Sequence, residues 1–211
     1  MFKQFIDLFL HLDRHLTELV SQYGSWSYGI LFLIIFAETG LVVAPFLPGD
    51  SLLFAAGAIA ALGALDPWIL AGLLVVAAVM GNFINYQIGR WVGPKAFSGD
   101  IKWLRKDYLD RTHGFFEKHG AVAIILTRFA PILRTFAPFV AGVGRMTYAR
   151  FMLYNTVGGV LWVGLFVGMG YFFGNLPQVK HNFSLVILGI IAVSFLPIAV
   201  EFYKGWRGKG A

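Results

Sequence analysis

Three stretches of the chain, 67–89, 151–179 and 181–200, contain no Asp, Glu, Lys or Arg. About 20 apolar residues suffice to cross the hydrocarbon core of a bilayer as a helix. Backbone in that core has no water to bond, so it must satisfy its polar groups internally. These runs predict transmembrane helices, and the composition agrees. The chain is 58% hydrophobic and 13% charged, with mean hydropathy +0.71, whereas soluble domains are about 25% charged. An ordinary soluble globular protein is excluded, and 211 residues allow one compact membrane domain rather than two. Cysteine is absent, which excludes a disulfide framework, a thiolate nucleophile, Cys-ligated zinc and an iron–sulfur cluster. The 17 Lys+Arg against 11 Asp+Glu give +6. These basic residues lie mostly between apolar runs, so they orient a membrane chain rather than bind nucleic acid.

The first residues are not a secretory signal, because Asp7, Asp13, Arg14 and Glu18 interrupt any apolar core and no small-residue cleavage site follows. Polar residues from Gln4 to Gln22 recur at helical spacing opposite Phe5, Phe9, Leu12, Leu16 and Leu19. Residues 1–22 therefore read as an amphipathic helix lying in a membrane interface; a helix facing water is the alternative. Asp66-Pro67 reads as a helix cap followed by proline in the first turn.

Two further apolar segments are broken. Glu38, Pro45, Pro48-Gly49 and Asp50 interrupt residues 27–65, and Arg128, Pro131, Arg134 and Pro138 interrupt residues 119–144. A charge at mid-membrane costs roughly 3 kcal/mol on insertion scales. Such segments survive where they are buried in protein or line a wet cavity. Both read as re-entrant helical hairpins, with a full span around 27–47 as the alternative for the first. Ala44-Pro45 leads to Phe54-Ala55-Ala56-Gly57, and Ala130-Pro131 leads to Phe139-Val140-Ala141-Gly142. Paired broken helices in corresponding positions of two halves point to a transport site at a repeat interface.

The expected architecture is an all-α polytopic membrane protein with two opposed re-entrant hairpins as an inverted repeat. Its segments are an amphipathic helix at 1–22, a hairpin at 27–65, a span at 67–93 and a cytoplasmic amphipathic segment at 94–118. A second hairpin at 119–144 and spans at 150–174 and 183–203 complete it. Basic residues concentrate in 94–118, at Arg145 and Arg150, and at Lys204, Arg207 and Lys209. The positive-inside rule places all three groups in the cytoplasm. The second hairpin then enters from the cytoplasm and the first from outside.

Glu38, Asp50, Arg128 and Arg134 are the sharp feature. One reading is structural: Asp50 caps a helix, and Glu38 is the buried partner of an arginine. The functional reading assigns Arg128 and Arg134 to a phosphate, which guanidinium binds bidentately. Glu38 and Asp50 then exchange protons, since burial favours the neutral carboxyl. Asn82, Asn85 and Tyr86 on the first long span, and Asn155 on the next, form a supporting polar set. Amides in membranes also serve simply to pack helices. Gly164-x-x-x-Gly168 and Gly170-x-x-x-Gly174 are small-residue patterns for helix packing or a homodimer. His11 and His15 stand at i, i+4 without an evident third ligand, so no metal is expected, and no cofactor either. No phosphate-binding loop, nucleophile elbow or His-Glu-x-x-His motif occurs, so enzyme readings are poor.

Glu38-Thr39-Gly40 and Phe46-Leu47-Pro48-Gly49-Asp50-Ser51-Leu52-Leu53 resemble the first motif of the DedA family of bacterial inner-membrane proteins. Asn85-Tyr86-x-Ile88-Gly89-Arg90 resembles its next block. Phe116-Glu117-Lys118-His119-Gly120, Arg128-Phe129-x-Pro131-x-x-Arg134-Thr135 and Pro138-Phe139-x-Ala141-Gly142 resemble its arginine motif. Asn155, Leu161-Trp162 and Gly170-Tyr171-Phe172-x-Gly174 complete the pattern, which covers about residues 5 to 203. The resemblance implies a fold shared with VTT-domain scramblases. It also implies translocation of undecaprenyl phosphate, or in some members phosphatidylethanolamine, with the proton motive force implicated. Glu38 and Asp50 match the family's essential acids, and Arg128 and Arg134 its essential arginines. Many members carry Asp where this chain has Asn82, and an amide carries no proton. The expectation is a multi-pass inner-membrane transporter of polyprenyl phosphate or phospholipid. A membrane scaffold without transport and a proton-coupled exporter of small cations are the competing classes.

Overall fold

The computed structural model describes residues 12–41, 49–98, 106–183, 185–190 and 192–193, and all regular structure among them is helical. The expected segment 1–11, the first break at Pro45 and Pro48, residues 99–105 and most of the 183–203 span lie outside the described residues. In chain order the helices are α1 (Leu12–Tyr23), α2 (Trp26–Gly40), α3 (Gly49–Ala61), α4 (Pro67–Ser98) and α5 (Lys106–Leu126). A 3₁₀ turn at Thr127–Phe129 follows, then α6 (Pro131–Val143), α7 (Tyr148–Phe173) and the short α8 (Pro177–His181). The chain folds as two compact units. One takes Met1–Ser27, Pro48–Ala71 and Gly164–Ala211, and the other Tyr28–Leu47 and Gly72–Val163.

In the first unit, α1 buries Leu16 and Val20 and exposes Thr17, Glu18 and Ser21, the one-sided pattern its sequence predicts. It ends where Gly24 turns to φ +53° and its N–H reaches Val20 O at 2.9 Å, a conformation glycine adopts without a Cβ penalty. Helix α1 packs on α3. Helix α3 is buried on every side from Gly49 to Ala60, as a helix apolar all round must be when protein surrounds it. Its backbone lies against α7: a Cβ on Gly57 would collide with Val167 O, one on Gly170 with Phe54 O, and one on Gly174 with Ala58. Asn175 Nδ2 donates to Ala58 O at 2.9 Å. Helix α4 begins as its sequence predicts: Asp66 Oδ1 accepts from Trp68 N and Ile69 N, both at 2.9 Å, and Pro67 follows the cap.

In the second unit, the same kind of joint seats α6 on α4. A Cβ on Gly142 would collide with Tyr86 O and one on Gly89 with Phe139 O, while Gly93 faces Val143. Tyr86 OH donates to Met146 O at 2.6 Å, and its ring stacks on Phe151 at 4.2 Å. These residues form a buried cluster with Phe116, Ile124 and Ala141. Helix α5 runs unbroken across residues 118 and 119, where hydropathy had suggested a boundary. Residues on both sides of that point share one helix, since Gly120 keeps a helical backbone and no proline intervenes. The entry to α7 is fixed by Glu117. Its carboxylate accepts from Thr147 N (2.9 Å), Thr147 Oγ1 (2.8 Å) and Arg150 Nη1 (2.5 Å).

Pro67–Gly93 and Tyr148–Phe173 are long and apolar enough to cross a membrane. Along α4, Val76, Met80, Ile84 and Ile88 recur every fourth residue and are all exposed. Such a continuous apolar ridge is stable against lipid tails and unfavourable against water.

Candidate functional site

The helical path between α5 and α6 breaks at an arginine. The 3₁₀ turn Thr127–Phe129 carries Arg128, Ala130 is extended at φ −121° and ψ 110°, and Pro131 opens α6. Proline fixes the first helical φ and has no N–H to lose, while disfavouring helix at the residue before it. The sequence thus forces a change of direction next to Arg128, and Arg134 lies one turn into α6. Both side chains are fully buried within the second unit, as are Glu38, Asn82, Asn85, Tyr86 and Asn155. Asp50 is also buried, but in the first turn of α3 within the first unit. A carboxylate there suits the positive end of the helix.

The two arginines have different surroundings. Arg134 Nη2 donates to Glu38 Oε1 at 2.5 Å. Its guanidinium carbon stands 4.6 Å from the centre of the Trp162 ring, within cation–π range. This charge is neutralised by a carboxylate and covered by an aromatic face. Arg128 meets amides instead. Its Nη2 donates to Asn155 Oδ1 at 2.5 Å and to Asn155 O at 3.1 Å. Asn155 is itself anchored by Nδ2 donating to Val79 O at 3.0 Å. Nε and Nη1 of Arg128 are buried and meet no acceptor among the described residues.

Asn82 joins the Arg128 group through either orientation of its amide. In one, Nδ2 donates to Asn155 Oδ1 at 3.1 Å. In the other, its oxygen accepts from Arg128 Nη2 at 3.0 Å and its nitrogen donates to Thr39 O at 3.3 Å. The second gains Arg128 and Thr39 as partners but sets the Asn82 oxygen 3.1 Å from the Asn155 Oδ1 acceptor, which the first orientation satisfies.

Asn85 bridges the elements that carry Glu38 and Arg134. Its Nδ2 donates to Thr135 O at 2.6 Å and lies 3.5 Å from Thr39 O. Tyr86 faces the aromatic cluster and Met146 rather than the arginines, so it supports the packing of the second unit. Sequence reasoning singled out every one of these polar residues. It gave no role to Trp162, whose ring is buried over Arg134. It also gave no role to Gly158 and Gly159, beside which the Arg128 side chain lies. The signal for the glycines was their place one turn after Asn155, on the same helix face.

A VTT domain matches residues 47–172. Protein DedA of Escherichia coli K12 is 56% identical over 205 residues, covering 96% of this chain and 94% of its own length. The inner membrane protein YghB of the same organism is 35% identical over 89% of this chain and 82% of its own. An uncharacterized membrane protein of Mycobacterium leprae is 44% identical over 84% and 80%. No solved structure matches. A buried set of charges beside a proline-broken helix, an exposed apolar ridge and these relatives converge: the chain is a membrane protein of the DedA family, built on a VTT domain.

Proposed function

We propose that this protein is a multi-pass lipid transporter of the bacterial inner membrane that returns undecaprenyl phosphate across the bilayer. The observation that carries the reading is Arg128, a permanent cation buried in a membrane protein, whose Nε and Nη1 meet no acceptor among the described residues. An unsatisfied buried donor is costly, and a phosphate monoester supplies the charge and acceptor oxygens that would relieve it. The isoprenoid tail would stay in lipid while the head group enters the protein.

Arg134 is the second phosphate contact in this reading. It becomes available when Glu38 takes up a proton and loosens its hold. Asp50 is the second proton-exchanging acid, and Asn82, Asn85 and Asn155 hold the geometry. The two hairpins act as an inverted repeat. Support comes from the matching joints: Phe54 and Gly57 face Gly170 and Val167, just as Phe139 and Gly142 face Gly89 and Tyr86. A small-cation exporter is less well supported, because Glu38 already meets an arginine. No step here requires the protein to be an enzyme.

The test is translocation of labelled undecaprenyl phosphate in proteoliposomes, with and without an imposed proton gradient. Wild-type protein should move the lipid, and Arg128→Ala or Arg134→Ala should slow it by about tenfold or more, the loss of a charged hydrogen bond. Movement indifferent to both substitutions would overturn the phosphate role. Movement of phosphatidylethanolamine alone would transfer the reading to that lipid.

A further inference from the structure

The surroundings of the two arginines are unequal. Arg134 is in use: Glu38 holds its Nη2 and Trp162 covers its face. Arg128 is held at one end only. Asn155 takes Nη2 through both its side-chain and main-chain oxygens, and neither oxygen carries a net charge. Among the described residues the positive charge is therefore oriented without a carboxylate to neutralise it.

The rest of the Arg128 side chain lies along a groove cut into α7. A Cβ on Gly158 would stand 3.0 Å from Arg128 Cδ and 3.2 Å from Nε, and one on Gly159 would stand 3.5 Å from Nη2. Any residue larger than glycine at 158 would crowd Nε, one of the atoms without an acceptor. Asn155, Gly158 and Gly159 fall at i, i+3 and i+4, which puts them on one helix face.

We infer that Asn155, Gly158 and Gly159 form a seat that presents Nε and Nη1 of Arg128 to a phosphate monoester, making Arg128 the first anion receiver and Arg134 a contact engaged afterwards. This rests on the anionic-lipid reading above and adds an order and a set of positioning residues to it. An amide seat suits the task, since it fixes a guanidinium as a carboxylate would without competing for its charge.

The test is binding of geranyl phosphate, and of its uncharged alcohol geraniol, to the purified full-length protein in detergent. The preference for phosphate over alcohol is the readout. A misfolded or loosened protein loses both ligands alike, whereas a damaged anion contact loses only the phosphate. Asn155→Asp keeps the side-chain shape but sets a carboxylate against Arg128, and should cut the preference by about tenfold or more. Arg128→Lys, which cannot span the same donors, should do the same. Gly158→Ala should weaken the preference about threefold or more by crowding Nε. Arg134→Lys should cost less than either Asn155→Asp or Arg128→Lys.

A preference that survives Asn155→Asp and Arg128→Lys but collapses in Arg134→Lys would overturn the order while leaving the anionic-lipid reading intact. Absence of any phosphate preference in the wild-type protein would overturn both.

Discussion

Removing one partner of the Glu38–Arg134 pair leaves a bare charge among apolar helices, whereas removing both leaves only a gap. Breaking a buried ion pair costs about 3–5 kcal/mol, while its replacement by apolar groups is often neutral. Glu38→Ala and Arg134→Ala should therefore each lower thermal stability sharply in detergent. The double variant should be less damaged than the sum of the two, by about 0.5–3 kcal/mol of coupling. Strict additivity would mean that the 2.5 Å contact contributes nothing. The four ionisable residues were legible from the sequence because charges inside apolar runs are expensive. Their pairing was not, because Glu38 and Arg134 are separated by 96 positions and either acid could in principle have met either arginine. The Trp162 contact was illegible for another reason: a tryptophan in a transmembrane helix is ordinarily read as interfacial or lipid-facing mass.

Glycine divides the helices into packed and open faces. At Gly57, Gly89, Gly142 and Gly170 a Cβ would strike a neighbouring carbonyl, so main chain rests on main chain. Alanine at any of these should cost about 1–3 kcal/mol through overpacking, seen as a lower melting temperature of the detergent-solubilised protein. Alanine at Gly164 or Gly168, where nothing lies within 4 Å, should cost nothing and gain a few tenths of a kcal/mol from helix propensity. A loss at those two positions, accompanied by a change in oligomeric state, would instead mark them as the contact with a second copy. The break at Arg128–Pro131 was legible directly, because proline dictates its own backbone and that of its neighbour. The polarity change near residue 119 does not end a helix, since one helix runs from Lys106 through Leu126. Hydropathy reports the surroundings of a helix, and its ends are set by caps.

The distribution of basic residues orients the whole chain. The loop between α3 and α4 should face outward, and the basic part of α5 up to Lys118 should face the cytoplasm. Because the protein has no native cysteine, Ala64→Cys and Lys118→Cys each provide a single label without background. An impermeant maleimide added to intact cells should modify the first, and reach the second only after permeabilisation. Reaction at Lys118→Cys in intact cells would invert the topology. One consequence of the Arg134 site is optical. Trp26, Trp68 and Trp91 are exposed, whereas Trp162 is buried with its ring against a guanidinium. Brominated lipids should dim the emission of indoles that touch acyl chains and spare Trp162, so part of the residual fluorescence would come from a native, unlabelled reporter of the charge beside it.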